Sequence, residues 1–168
     1  LEISSYFAQN LKLCIHKESK RTKATYRKCV IPALEKAEAT GAPAVAIELN
    51  DGRVVTGKTS ALLGASSAAL LNALKAIAGI DKDIDVISPE ILEPITNLKV
   101  GLLGSKNPRL HPDELLIALS ICAVHDPVAA KATEQLSRLR HCEMHSSVIL
   151  SENDEQIMKK LLSFPYCR

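Results

Sequence analysis

Residues 44–79, AVAIELNDGRVVTGKTSALLGASSAALLNALKAIAG, decide the fold. Val45 to Leu49 is a short apolar run, Asn50-Asp51-Gly52 is a strong hairpin signal, and Arg53 to Thr56 reads as the returning strand. Past Gly57, the residues Leu63, Leu70, Leu74 and Ile77 recur at helical spacing. Gly64 and Ser66 divide a short turn from a longer helix ending at Gly79. A hairpin that runs straight into a helix is one unit of a layered domain.

Downstream, Ile84 to Ile87 is a further strand candidate, and Ser88-Pro89 starts a helix with Ser88 as its cap. Ile91, Ile95, Leu98 and Leu102 would form the buried face of that helix. Gly104 to Leu110 (GSKNPRL) is the clearest loop. At His111-Pro112-Asp113-Glu114 a nearly all-apolar helix begins and runs to about Val124, which predicts a central, buried position. Another helix covers Val128 to Leu139 and a last strand Val148 to Leu150. Ser151 and Asp154 then resemble a capping box, with Ile157, Met158, Leu161 and Leu162 facing inward.

Upstream, Ile3, Tyr6, Phe7, Leu11 and Cys14 share a helical face. A second stretch carries Tyr26, Cys29, Val30, Ala33, Leu34 and Ala37, interrupted at Pro32 and stopped by Gly41. The expected organisation is a helical arm over 1–41 and an α/β domain over 42–168. That domain has helix-rich layers around a small mixed sheet with parallel crossovers and one hairpin, α+β being the alternative.

The size, 168 residues, suits one domain, and 46% hydrophobic against 24% charged residues suits a globular one. No apolar run approaches the roughly 20 residues of a membrane helix, and no export leader is visible, so no membrane partner is expected. Five scattered cysteines fit a reducing compartment, hence a cytoplasmic location. A start at Leu1 suggests a processed product or a piece of something longer. The net charge of +2 conceals a basic stretch, with Lys12, Lys17, Lys20, Arg21, Lys23, Arg27 and Lys28 against the single acid Glu18. Such a stripe can follow a phosphate backbone or meet an acidic neighbour. Residues 27–163 hold no aromatic ring on which a base could stack, which argues against nucleic acid as partner.

Gly52 to Thr59 matches the P-loop pattern G-x-x-x-x-G-K-[ST] letter for letter. Its middle residues Arg53, Val54, Val55 and Thr56 prefer extended chain, and Gly52 already serves the turn, so the hairpin is the better reading. Lys58, Thr59 and Ser60 remain a candidate anion-binding group where strand meets helix, with Thr59 equally a simple cap. The loop with Ser105, Lys106, Asn107, Arg109, His111, Asp113 and Glu114 gathers polar groups before a rigid helix, and Lys106 and Arg109 are its anion candidates. His111 is also a weak catalytic candidate. Cys142 and His145 could act as nucleophile and base. His141, Cys142 and His145 have metal-ligand spacing, but a closed zinc site lacks its second pair unless Cys122, His125 or His111 approach, so no metal is assigned. Cys14, Cys29 and Cys167 read as structural, and no cofactor is assigned.

The segments VVTGKTSALLGASSAALLNALKAIAGI, LGSKNPRLHPDELLIALSICA and HCEMHSSVILSENDEQIMKKL carry a resemblance. From about Ile31 to Leu162 the chain resembles the C-terminal domain of the bacterial uncharacterised protein family three-seventy-one, also known as domain of unknown function eighteen-forty-six. Members of that family are cytoplasmic proteins several hundred residues long whose N-terminal part carries a glycine-rich sequence ending in Gly-Ser-Gly-Lys. The resemblance implies a fragment, with any phosphate chemistry centred on the absent part, and it implies no catalytic residues. Three functions stand as expectations. The first is a ligand-binding and assembly module packing on a phosphate- or nucleotide-handling N-terminal domain. The second is an enzyme with its own site at His111, Cys142 and His145, and the third is a structural oligomerisation domain. Self-association and a phosphate-bearing small molecule are the partners this ordering expects.

Overall fold

The computed structural model describes residues 27–162. The expected helical face over 3–15, most of the basic stretch, Tyr26, Cys14 and Cys167 lie outside them. The hairpin forms as read. Strand β1 (Ala44–Glu48) pairs antiparallel with β2 (Val54–Lys58), Ala44 facing Lys58 and Glu48 facing Val54. Between them the Gly52 N–H donates to the Leu49 carbonyl at 2.9 Å and the Leu49 N–H to the Arg53 carbonyl at 2.8 Å. Gly52 adopts φ 84°, the left-handed region that a side chain resists.

Strand β3 (Glu143–Ser146) pairs antiparallel with the other edge of β1, giving the order β2-β1-β3. The layered, helix-rich α/β architecture is present, but its sheet is wholly antiparallel and the expected parallel crossovers are not formed. One isolated parallel bridge, Leu63 to Leu110, is the sole parallel pairing among the described residues. Ile84 to Ile87 stays irregular although Val86 and Ile87 are buried, and the last strand lies ahead of Val148 to Leu150. Short apolar runs satisfy burial equally well as strand or as irregular chain, and here the loop carbonyls find a lysine instead of a strand.

Helix α1 (Val30–Thr40) covers one face of the sheet, where Cys29 and Ala33 pack on Ala46. Pro32 sits in its first turn and causes no break. Helix α1 packs on the sheet as one of its layers, while residues 1–26 of the expected arm lie outside the described residues. Helix α2 (Ala65–Ala78) covers the opposite face, with Leu70 and Leu74 in one cluster with Val45 and Ile47. This leaves β1 buried on both sides. The α2–β2 approach is very close: a Cβ on Gly57 would lie 2.1 Å from the Ala69 nitrogen.

Helix α3 (Pro89–Asn97) continues into a π-helical turn over Leu98–Leu102. Ile95 packs on the core as expected, but Ile91, ahead of the π turn, is already 38% exposed, so the buried face lies one position round from the expected stripe. Leu92 is buried instead, and Leu98 and Leu102 are exposed. Helix α4 (Pro112–Cys122) is not central either. Leu115, Ala118, Leu119 and Cys122 are buried, while Ile117 and Ile121 face outward. The helix expected over Val128 to Leu139 is split into α5 (Pro127–Thr133) and a 3-10 turn at Leu136–Leu139. Helix α6 (Glu152–Leu162) buries Met158 and Leu162, with Ile157 and Leu161 half-buried. No helix among the described residues is long and apolar enough to cross a membrane.

Candidate functional site

The P-loop spelling folds as a hairpin. Gly52 makes the turn, and Val54 to Lys58 are strand, so no phosphate-cradling loop exists at Gly52 to Thr59. Strand β2 delivers Lys58, exposed, to the sheet edge, and Thr59 comes next with its N–H donating to the Pro43 carbonyl at 2.8 Å. Thr59 does not cap α2, whose N-cap is Gly64. Ser60 closes a small turn, its hydroxyl accepting from the Leu63 N–H at 3.0 Å.

The loop ahead of α4 is pinned along its length. The Ser105 N–H donates to the Lys99 carbonyl at 2.9 Å, the Asn107 N–H to Ser105 Oγ at 3.3 Å, and the Arg109 N–H to Asn107 Oδ1 at 3.1 Å. Thr96 Oγ1 donates to the Pro108 carbonyl at 3.2 Å. Lys99, buried, gives its ammonium to the Arg109 carbonyl at 2.8 Å and to Glu114 Oε2 at 2.6 Å. Glu114 in turn accepts from the His111 N–H at 2.8 Å, half of a capping box that starts α4. A desolvated ammonium needs such acceptors, one of them charged.

Two segments far apart in sequence meet here. The Leu110 N–H donates to the Leu62 carbonyl at 2.8 Å, and the Leu110 carbonyl accepts from Ser67 Oγ at 2.8 Å. Beside that bridge, Arg109 Nε donates to the Ser60 carbonyl at 2.8 Å. The fold thus brings Ser60 and Arg109 into direct contact, with Lys58 and Lys106 exposed on the two flanking segments. A cleft of about 380 Å³ opens next to Ser60, walled by Leu63, Leu71, Asn72, Asp85 and Ile87. Lys75 braces its wall, its buried ammonium donating to the carbonyls of Lys82 at 2.5 Å and Ile84 at 2.6 Å. Inside a helical pattern, Lys75 reads as one more exposed position. Only the irregular loop over 81–87, invisible to periodicity, explains its burial.

His111 has a partner that its spacing did not reveal. Its Nδ1 lies 2.5 Å from Asp154 Oδ1, and the same oxygen accepts from Ser151 Oγ at 2.9 Å. Facing a carboxylate, Nδ1 carries the ring proton, leaving Nε2 to accept from Asn107 Nδ2 at 3.3 Å. This is a histidine oriented by an aspartate, without a hydroxyl on its far nitrogen. Ser151 caps α6 as read, the Asp154 N–H donating to Ser151 Oγ at 3.2 Å, while the Asp154 carboxylate takes the Ser151 hydroxyl as its donor.

Cys142 and His145 do not join His111. Cys142 is buried in the main core with Val45 and Ile47, its Sγ 3.8 Å from the Arg138 carbonyl, and burial pushes its thiol up. His145 stands opposite Ala46 on the α1 face of the sheet. Nucleophile and base therefore point to opposite sides. No group of three metal-capable side chains gathers among the described residues. Burial raises Cys29 as well, to about 11, consistent with a packing role. Arg27 and Lys28, from the basic stretch, reach Glu143 at 3.9 Å and Glu48 at 3.3 Å.

Burial, and then the Arg27 charge, hold the His145 imidazole below its ordinary value near 6.5. The unfolded chain then binds this proton more readily, so stability should fall as pH drops below about 6.5. Urea midpoints at pH 7.5 and 5.5 should differ less in His145→Gln than in the parent. Equal pH dependence in both would remove His145 from the explanation.

Comparison with known proteins agrees over most of the chain. Residues 25–163 match the model of "Domain of unknown function DUF1846, C-terminal". A UPF0371 protein of Corynebacterium glutamicum is 56% identical over 135 residues, covering 80% of this chain and 27% of the relative. UPF0371 protein CE2832 of Corynebacterium efficiens is 58% identical and UPF0371 protein str1377 of Streptococcus thermophilus 50% identical over the same length. The chain spans about a quarter of the length of the curated relatives it matches. On the strength of a match that runs from residue 25 to 163, the chain belongs to the DUF1846 family and carries its C-terminal domain.

Proposed function

We propose that this domain is a ligand-binding and assembly module that packs on a phosphate- or nucleotide-handling N-terminal part and lends it an anion-binding lip. The supporting observation is the contact of Arg109 Nε with the Ser60 carbonyl at 2.8 Å, which joins the two candidate anion segments on one edge. Nε is spent in that contact. The two Nη groups face no acceptor among the described residues, and neither do the exposed ammonium groups of Lys58 and Lys106. Three cationic groups on a pinned backbone suit a phosphate or carboxylate better than another residue's ion pair.

Thermal unfolding of the chain with inorganic pyrophosphate or ATP tests this. Ligand at a hundred times its Kd adds about 2.7 kcal/mol, roughly 5–10 °C for a chain of this size. The shift should vanish in Arg109→Ala and shrink in Lys58→Ala. A shift that survives Arg109→Ala would discard the lip. A second reading, acid–base chemistry at His111, draws on Asp154, which fixes the ring tautomer as an orienting carboxylate does. It requires a reaction lost in His111→Gln, and Cys142 and His145 have no part in it.

A further inference from the structure

Helix α4 buries one side and leaves another bare. Ile117, Ile121 and Val124 are 62%, 60% and 71% exposed and recur at spacings of four and three, so they form one apolar stripe. Together with Leu116 they line a shallow groove with almost no polar surface. Glu114 begins the same stripe one turn earlier. Its contact with Lys99 brings the π-helical turn, with Leu102 at 78% exposure, to that end of the helix. Isolated surface leucines need no explanation, but a contiguous apolar row marks an interface.

We propose that this stripe is where the remainder of the longer polypeptide docks, namely the N-terminal part that the relatives carry beyond this domain. The inference rests on the proposed packing of this domain on that part, and it names the face. Two observations select this occupant. The chain spans 27% of the Corynebacterium glutamicum relative, so most of that protein lies outside the domain and must meet it somewhere. The stripe is also narrow, a single row of Ile117, Ile121 and Val124 over two helical turns, interrupted at its side by Ser120. A free, stable dimer buries about 1,200 Å² or more, whereas contacts between domains of one chain start near 600 Å². Tethering supplies an effective concentration in the millimolar range, so a narrow face suffices within one polypeptide.

The test uses the full-length Corynebacterium glutamicum relative, with lysines at the positions aligned with Ile117 and Ile121, and this chain carrying Ile117→Lys and Ile121→Lys. In the full-length protein, one cooperative unfolding transition should split in two, the lower one near the melting temperature of the isolated chain. In the isolated chain the same pair should move Tm by less than about 2 °C, because both sites are already exposed. A parent protein that already melts in two independent steps overturns the packing reading itself. A variant that keeps the coupled transition of its parent overturns only this face. A chain that sediments as a dimer dissolved by the two lysines assigns the stripe to a second copy and overturns the occupant.

Discussion

Gly57→Ala is expected to cost this domain about 3 kcal/mol or more, a large share of the roughly 5–15 kcal/mol that holds a domain folded. The added Cβ would sit 2.1 Å from the Ala69 nitrogen and 2.5 Å from the carbonyl carbon of Ala68 and the Ala69 Cα. All three neighbours are backbone, so no rotamer change relieves the clash. Strand β2 or helix α2 must move, and both pack on the same buried Val45 and Ile47. Gly52→Ala is the natural control. It strains a turn at φ 84° but meets only the Lys28 ammonium at 3.6 Å, and should cost about 1 kcal/mol. Urea unfolding followed by circular dichroism separates the two. A Gly57→Ala loss as small as that of Gly52→Ala would mean that strand and helix stand further apart than described. The comparison also reads out the P-loop spelling. In a phosphate loop this glycine would serve a ligand, and its replacement would weaken binding before it weakened the fold.

The same glycine shows where sequence reasoning reaches and where it stops. Asn50-Asp51-Gly52 announces its turn because φ is a local property, and the hairpin, α2 and the start of α6 rest on equally local signals. Gly57 looks like a motif residue because the reason for it lies further along the chain, in the backbone of α2 at Ala68 and Ala69. Burial of faces fails for a similar cause. The stripe Ile91, Ile95, Leu98 and Leu102 misplaces the buried face: Leu92, Ile95 and Lys99 turn inward, Lys99 because it finds acceptors on Arg109 and Glu114 far along the chain. The all-apolar row of α4 predicts a central helix only if every apolar face meets this same domain; Ile117 and Ile121 do not. Within the candidate site, Lys58, Ser60, Lys106 and Arg109 could be picked by chemical type. The contact of Arg109 with Ser60 depends on the Leu63–Leu110 bridge, a pairing between segments that share no sequence signal. Cys142 and His145 fail for the opposite reason. Three residues apart in extended chain, they alternate onto different faces, where helical spacing would have united them.

Asp154→Ala should be the second costly change, about 2–3 kcal/mol. Its carboxylate is 12% exposed and one oxygen serves two donors, His111 Nδ1 and Ser151 Oγ. Truncation leaves both without acceptors, and unsatisfied buried donors cost about 1–3 kcal/mol. It also removes a negative charge from the first turn of α6, worth about 0.3–1 kcal/mol against the helix dipole. Asp154→Asn keeps an acceptor and the side-chain volume and should lose about half as much. A double-mutant cycle with His111→Ala isolates the bridge, since a direct contact should appear as coupling of at least about 1 kcal/mol. Additive losses would show that Asp154 acts only within its own helix. The cycle bears on function too, because His111 starts α4 directly after the loop that carries Arg109. If the Asp154–His111 tie fixes that loop, pyrophosphate should bind Asp154→Ala more weakly although Asp154 touches none of the cationic groups. If the tie instead prepares His111 for proton transfer, binding should persist in Asp154→Asn while any turnover falls with the loss of the orienting charge.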